Sequence, residues 1–427
     1  MRQNLVAVAR AGVDAADAAH LVGRAIEDPK IELPIDEPTV LISAGKAAAT
    51  MASAFAARHG STLCRGLVCA THRISDLPES LDWIQSGHPL PTHESVEAGR
   101  RALELAQSVR SQERLVVLLS GGASALLAVP TSGLMLKDKI SITRTLLECG
   151  AEIHEINAVR KHLSQLKGGW LATASTGPTL TLAVSDVVGD DPSTIGSGPT
   201  VPDPTTFDYA LGVIDRLSSR SQMPRAAIEI LESGSRGHLP ETPKPDDPRL
   251  KQSCLWIIGN RWSAMAGAEA EALRLGYHVV KIQEPVVGEA RVVGGEYVSR
   301  IVELIRDAPR PTCVLSSGET TVRVTGAGRG GRNQEFALAV ALSLTSFSKL
   351  NMVFTSIGTD GVDGPTDVAG AVVDSSTLTR SVKMGLGSPE RFLDENDTYT
   401  FFKELGDLFQ IGPTNTNVGD LQVALVP

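Results

Sequence analysis

Short apolar runs alternate with helix patterns along most of this chain, and that rhythm restricts its fold more than any other feature. PTVLISAG (38–45) precedes the alanine-rich KAAATMASAFAAR (46–58), and GLVCATH (66–72) and DWIQSG (82–87) precede HESVEAGRRALELAQSVR (93–110). LVVLLSGG (115–122) is the strongest strand pattern, and TLTLAVSDV (179–187) closes the series after two more helical stretches. Strands separated by helix-length segments predict βαβ units, a mainly parallel sheet and right-handed crossovers. Forty glycines and only 4% aromatic residues suit tight βα turns and aliphatic packing between sheet and helices.

At 427 residues the chain is long enough for two or three domains. GHLPETPKPDDP (237–248), with four prolines and no periodicity, reads as an extended linker between domains at 1–236 and 249–427. Beyond it the rhythm resumes with SCLWIIGN (253–260), RWSAMAGAEAEALRLG and YHVVKI. TCVLSSGETTVRVTG (312–326) reads as a hairpin because GE separates two β-type runs, and NMVFTSIGTDG, AGAVVD and QVALVP add further strands. The expected fold is therefore two α/β domains, the second with a mixed sheet.

A net charge of −9 without a basic stripe excludes a nucleic-acid binder of the usual kind, while leaving room for a small anionic substrate. Five dispersed cysteines without CxxC spacing argue against a disulfide framework or a zinc site, and read as buried thiols in a reducing compartment. The N-terminal stretch has no long apolar core and no segment is long enough to span a bilayer, so no membrane partner and a cytoplasmic location are expected.

In parallel sheets, ligands bind on the loops beyond the carboxyl ends of the strands. After the first strand comes Ser43-Ala44-Gly45-Lys46. The glycine allows close backbone approach, and a lysine in the first helical turn is electrostatically misplaced unless it meets an anion. Ser120-Gly121-Gly122-Ala123-Ser124 offers free N–H and O–H donors, or is simply a tight turn. In INAVRKHLSQLKGG (156–169), Ile156, Val159, Leu163 and Leu166 share one face, with Asn157, Arg160, Lys161, Ser164 and Lys167 opposite. Such a stripe reads as a solvated helix face.

VSDVVGDDPSTIGSGPT delivers Asp186 to a strand end with Asp190 and Asp191 close behind. Clustered carboxylates repel unless a cation sits among them, which points to Mg²⁺. Gly326-Ala327-Gly328-Arg329-Gly330-Gly331-Arg332-Asn333-Gln334-Glu335 satisfies GxGxxG between a strand and a helix. No acidic residue follows at the distance that would hold a ribose, and two arginines lie in the loop, so it reads as a phosphate loop. GTDGVDGPTDVAG (358–370) places Asp360, Asp363 and Asp367 after another strand, without EF-hand spacing. Lysine, arginine, glycine donor loops and carboxylates together make the parts list of phosphoryl transfer.

The motifs GKAAATMA, GHPLPTHES, LLSGGASALL, NAVRKHLSQLKGG, SDVVGDDPSTIGSGPT, SGETTVRVTGAGRGGRNQE, GTDGVDGPTD and GPTNTNVGDL resemble, in order and over nearly the whole chain, those of the class II glycerate kinases. The resemblance implies a Rossmann-like N-terminal domain joined to a MOFRL-type C-terminal domain, with the active site in the cleft between them. It implies ATP- and Mg²⁺-dependent phosphorylation of D-glycerate to 2-phosphoglycerate, with Lys46 and Arg332 as catalytic residues. The family's His-Pro stretch commonly continues with Pro-Asp, whereas here it runs His88-Pro89-Leu90-Pro91. On this reading the phosphates and substrate are held by Ser120, Gly121, Gly122, Ser124, Arg160, Lys161, Gly326, Gly328, Gly330, Asn333, Glu335 and His88. Asp186, Asp190 and Asp360 are the candidate Mg²⁺ ligands, and a homodimer is one assembly open to the chain. A nicotinamide-dependent hydroxypyruvate reductase, a kinase for a related hydroxy acid, and a non-catalytic ligand-binding protein are the alternatives.

Overall fold

The computed structural model describes residues 1–34, 36–73, 77–218 and 220–427. The chain forms two compact units, one of Ala18–Ile258 and one that joins Met1–Asp17 to Gly259–Pro427.

The larger unit is built on a six-stranded sheet. Its strands are β1 (Thr39–Ala44), β2 (Leu63–Ala70), β3 (Leu81–Gln85), β4 (Arg114–Leu119), β5 (Thr179–Val184) and β6 (Ser253–Gly259), in the order β3-β2-β1-β4-β5-β6. β1 to β5 are mutually parallel. Every residue of β1 and β5 is buried, as expected for strands covered on both faces. Val40, Ile42, Leu115, Val117 and Leu119 pack into one apolar cluster with Ala98, Ala102 and Leu105 of the helix His93–Gln107. Because the strands are parallel, the loops after β1, β4 and β5 emerge at one edge of the sheet.

The discontinuous unit carries a seven-stranded mixed sheet: β7 (His278–Lys281), β8 (Val286–Glu289), β9 (Thr312–Thr321), β10 (Val353–Gly358), β11 (Gly370–Asp374), β12 (Leu408–Phe409) and β13 (Asp420–Val426). β7 and β8 run parallel to β9, while β13 is antiparallel to both β9 and β10. The first helix, Arg2–Ala15, buries Leu5, Val8, Ala9 and Val13 against Met265, Ala268, Leu421 and Val423.

Four expectations are corrected. The division falls at residues 17 and 258, because the first helix finds its apolar partner beside β13, and SCLWIIG extends the larger unit's sheet as β6. The proline-rich stretch is no free linker: Thr242 Oγ1 donates to Asp203 at 3.0 Å, and Glu241 meets His162 at 3.0 Å. The segment read as a hairpin holds a single strand, Thr312–Thr321, and 322–326 do not return as a second one. Gly318 serves close approach there, since a Cβ would stand 2.1 Å from the carbonyl oxygen of Val286 on β8. Finally, only Cys69 and Cys313 are buried, and Cys64, Cys149 and Cys254 are exposed. Among the described residues no helix is long and apolar enough to cross a membrane.

Candidate active site

The loops after β1 and β4 interlock. Ser120 N–H donates to the Ala44 carbonyl at 3.0 Å, Lys46 N–H to Gly121 O at 2.8 Å, and Ala47 N–H to Ser120 Oγ at 3.0 Å. Gly45 has φ +134°, and a Cβ there would lie 2.1 Å from Ser120 Oγ, so both conformation and space demand glycine. A Cβ on Gly122 (φ +85°) would stand 2.8 Å from His88 Cδ2 and 3.6 Å from Lys46 Cγ. Lys46, His88 and the SGG turn, far apart in sequence, thus meet at one carboxyl edge. Two details differ from expectation. Lys46 precedes the helix, which starts at Ala48, and Ser120 spends its N–H and Oγ tying the loops together rather than facing a ligand.

The helix Ile153–His162 presents no solvated stripe. Asn157, Lys161 and Lys167 are buried, Lys167 fully, and they turn inward to polar partners. Lys161 Nζ pairs with buried Asp203 at 3.3 Å, so its charge is already matched and it is corrected as a substrate ligand. Arg160 and Lys167 differ. Arg160 Nη2 donates to Ser124 Oγ at 2.5 Å, and Lys167 Nζ reaches Ser124 O at 2.9 Å and Ser124 Oγ at 3.0 Å. Lys139 from the helix Leu136–Glu148 is also buried, with Nζ only 3.5 Å from the Leu163 carbonyl. Among the described residues none of these three cations has a carboxylate partner, and Arg160 Nε is buried without any hydrogen-bond partner. Burial pushes Lys139 down to about 7 and Arg160 down to about 10, and holds Lys167 well below the usual lysine value, with Arg160's charge adding to both lysine shifts. An unmatched buried charge costs several kcal/mol unless an anion or the loss of a proton relieves it.

The loop after β5 completes the corner. Gly196, Ser197 and Gly198 all have positive φ, near +60°. The turn brings Ser197 Oγ to 2.8 Å from Ser124 Oγ and 2.9 Å from Asn157 Oδ1. For a serine that left-handed conformation is a strain that the hydrogen bonds offset. Asp186 and Asp190 sit partly exposed on the same loop. Asp191 is occupied with its own turn, accepting from Ser193 and Thr194. No group of three or more His, Cys, Asp or Glu side chains fit to hold a metal converges among the described residues.

In the discontinuous unit the 326–335 segment is corrected as an open phosphate cradle. Gly326 N–H donates to Asn396 Oδ1 at 2.9 Å and Gly328 N–H to Glu395 O at 2.8 Å. Cβ atoms on Gly326, Gly328 and Gly330 would collide with residues 395–398. The glycines let two segments pack. The helix Arg332–Leu344 already has an anion at its start: Asp363 accepts from Asn333 N at 3.0 Å and Gln334 N at 2.9 Å. Burial, with Asp420 nearby, pushes Asp363 up to about 6. Asn333 is engaged with Asp363, Asp420 and Ser356, and Glu335 is buried against Asn396 and Arg291. Asp360 Oδ1 accepts from Val362 N at 3.2 Å, an Asx turn. Arg332 is held bidentately by Asp420 (Nε–Oδ2 2.8 Å, Nη2–Oδ1 3.0 Å) and by Glu319 at 2.9 Å.

Comparison with known proteins decides the family. Residues 4–232 match the family described as Domain of unknown function (DUF4147), and residues 312–420 match the MOFRL family. A curated relative from Pyrococcus horikoshii named glycerate 2-kinase is 35% identical over 97% of this chain and 94% of its own length. The chain belongs to the glycerate kinase family. The crystal structure of a glycerate kinase from Thermotoga maritima superposes with a TM-score of 0.87 at 33% identity, covering 100% of this chain and 99% of that one. One relative, from Agrobacterium vitis, 37% identical over 93% of this chain and 91% of its own length, is named a putative hydroxypyruvate reductase. The two α/β units fit this glycerate kinase assignment. The residues that sequence reasoning missed as site members are Lys139, Lys167 and Ser197 around Ser124, and Asp420, Glu319 and Asp363 around the Arg332 helix. For Lys139 and Asp420 no local signal exists.

Proposed function

We propose that the chain is an ATP-dependent glycerate 2-kinase acting on D-glycerate. The observation that carries this reading is the unmatched cation corner of Arg160, Lys167 and Lys139 around Ser124, beside the loops of Lys46 and His88. Arg160 grips the glycerate carboxylate, with Ser124 Oγ accepting from its Nη2 and holding the guanidinium in place. Lys46, with His88 and the Gly121–Gly122 backbone, steadies the transferring phosphoryl group. The 2-hydroxyl oxygen forms a bond to the γ-phosphorus as the bond to the ADP oxygen breaks, and the hydroxyl proton leaves to solvent. In such a loose transition state, positioning and charge neutralisation outweigh a strong base.

Asp186 and Asp190 are hard oxygen donors on one loop, a set that suits Mg²⁺ when phosphate oxygens complete its shell. They would hold the ion, which when bound neutralises phosphate charge. Arg332 is a proposed catalytic residue of the other unit, with Asp420 fixing its orientation. The five free cysteines accord with a cytoplasmic enzyme. The amides of Gly326, Gly328 and Arg329 already donate to residues 395–397, which weighs against a nicotinamide dinucleotide on this loop and so against a reductase.

The test is ADP release from purified protein with MgATP and D-glycerate, beside an NADH and hydroxypyruvate assay. The expected result is glycerate-dependent ADP, matched mole for mole by 2-phosphoglycerate. NADH consumption without ADP release would overturn the reading.

A further inference from the structure

Ser124 Oγ receives hydrogen bonds from two cationic side chains at once, Arg160 Nη2 at 2.5 Å and Lys167 Nζ at 3.0 Å. The direction of the remaining bonds is fixed by chemistry. Asn157 Oδ1 only accepts, so Ser197 Oγ donates to it at 2.9 Å, and Ser124 Oγ donates to Ser197 Oγ at 2.8 Å. Ser124 Oγ is therefore an acceptor toward both Arg160 and Lys167. Two positive charges converging on one neutral oxygen, in a largely buried corner with no carboxylate partner among the described residues, repel strongly. Arginine keeps its proton under essentially all conditions, so the lysine is the group that yields.

The charged groups around Lys167 are few. Lys139 faces it from the helix Leu136–Glu148, and Arg160 faces it from the helix Ile153–His162. Lys161, His162, Asp203 and Glu241 form a separate paired set, with Asp203 satisfied by Lys161, Thr242 and Thr205, and Asp191 satisfied by its own turn. Among the described residues nothing supplies Lys167 with a negative charge. A ligand would.

We propose that an anion binding at Arg160, beside Ser124, brings a proton with it, and that this proton comes to rest on Lys167 Nζ. The buffer acid gives up the proton, a new N–H bond forms on the neutral amine, and the buffer's conjugate base is left in solution. The inference rests on the reading of this corner as the carboxylate site. Lys167 is a positioning residue: once charged, it adds to the positive field that holds the ligand at Arg160, and through Ser124 it keeps that guanidinium in place, without touching the ligand. Burial far below the ordinary lysine range agrees with an amine that is neutral until the ligand arrives.

Isothermal titration of D-glycerate into the full chain, in two buffers of different ionisation enthalpy at the same mildly alkaline pH, reads the proton directly. The expected result is a binding heat that differs between the buffers in proportion to close to one proton taken up per glycerate. In Lys167→Met the difference collapses and KM for glycerate rises. In Lys139→Met it persists. Equal heats in both buffers for the unaltered protein would overturn the proton uptake while leaving the carboxylate site standing. Uptake that survives Lys167→Met and vanishes in Lys139→Met would also overturn it. Unchanged glycerate affinity and uptake in Arg160→Met would overturn the site itself. The wild-type measurement needs no substituted protein to fold.

Discussion

Arg332 and Arg160 are both guanidiniums at the edge of a helix-covered sheet, yet their surroundings have opposite sign. Around Arg332 the protein has gathered Asp420, Glu319 and Asp363, and the cation is neutralised before any ligand arrives. Around Arg160 it has gathered Lys167 and Lys139 and, among the described residues, no acid. The first arrangement fixes a side chain rigidly. The second leaves an electrostatic vacancy that only a bound anion can fill. Stability and ligand affinity should therefore separate between the two units.

The largest effect is expected on stability in the discontinuous unit. Arg332→Met strands buried Asp420 without its partner, and breaking one half of such a pair costs about 3–5 kcal/mol. Chemical denaturation should show that loss, and an unaltered midpoint would mean that Asp420 does not depend on Arg332. In the larger unit the same chemical change should act the other way. Arg160→Met removes an unmatched cation, so stability should hold or rise. Catalytic efficiency toward glycerate should fall by about 10²–10³-fold, the usual cost of a donor aimed at substrate charge. A protein that loses stability and keeps its activity would break the comparison.

A smaller effect is expected from pH. Asp363 has a folded pKa raised to about 6, above the ordinary aspartate value of about 3.9. The unfolded chain therefore loses this proton more readily than the folded one. The group's contribution is fully present below the unfolded value and lost as pH rises through about 6, a swing of roughly 1–3 kcal/mol. Asp363→Asn keeps the acceptor for Asn333 N–H and removes the titration. The difference in unfolding free energy between the two proteins should shift in wild type's favour as pH falls from neutral toward the ordinary aspartate range. A difference independent of pH would mean that the carboxylate stays ionised throughout.

How much of this was legible depended on the range of the interaction. β1, β4 and β5 could be read because each is a mostly apolar run, buried but for Arg114 at the start of β4, and followed by glycine or a small polar residue, a purely local pattern. Lys46, His88 and the SGG turn could be grouped because parallel strands deliver their following loops to one edge. The polar stripe of 156–169 was misread because periodicity marks two faces without saying what covers each. Here the 195–198 turn covers the polar one. The glycines at 326–331 misled for a related reason: glycine signals close approach, and the approaching partner is the protein's own 395–398 segment. Asp420, 88 positions from Arg332, reaches it only because β13 lies beside β9 in the sheet.

The finest test of the comparison concerns Ser197, which holds the larger unit's hydrogen-bond chain in place at φ +62°. Ser197→Ala keeps the strained backbone and leaves Asn157 Oδ1 without its donor, a loss of about 1–3 kcal/mol. Ser197→Gly loses the same hydroxyl but relieves the left-handed strain, worth roughly 1 kcal/mol, so it should be the milder of the two. Both should raise KM for glycerate by a similar factor, because both remove the acceptor that orients Ser124. If the alanine and glycine proteins unfold at the same denaturant concentration, the turn at 195–198 carries no strain. If KM for glycerate stays unchanged in both, Ser124 is oriented by Arg160 and Lys167 alone, which would bind the larger unit's site even more closely to its unmatched charges.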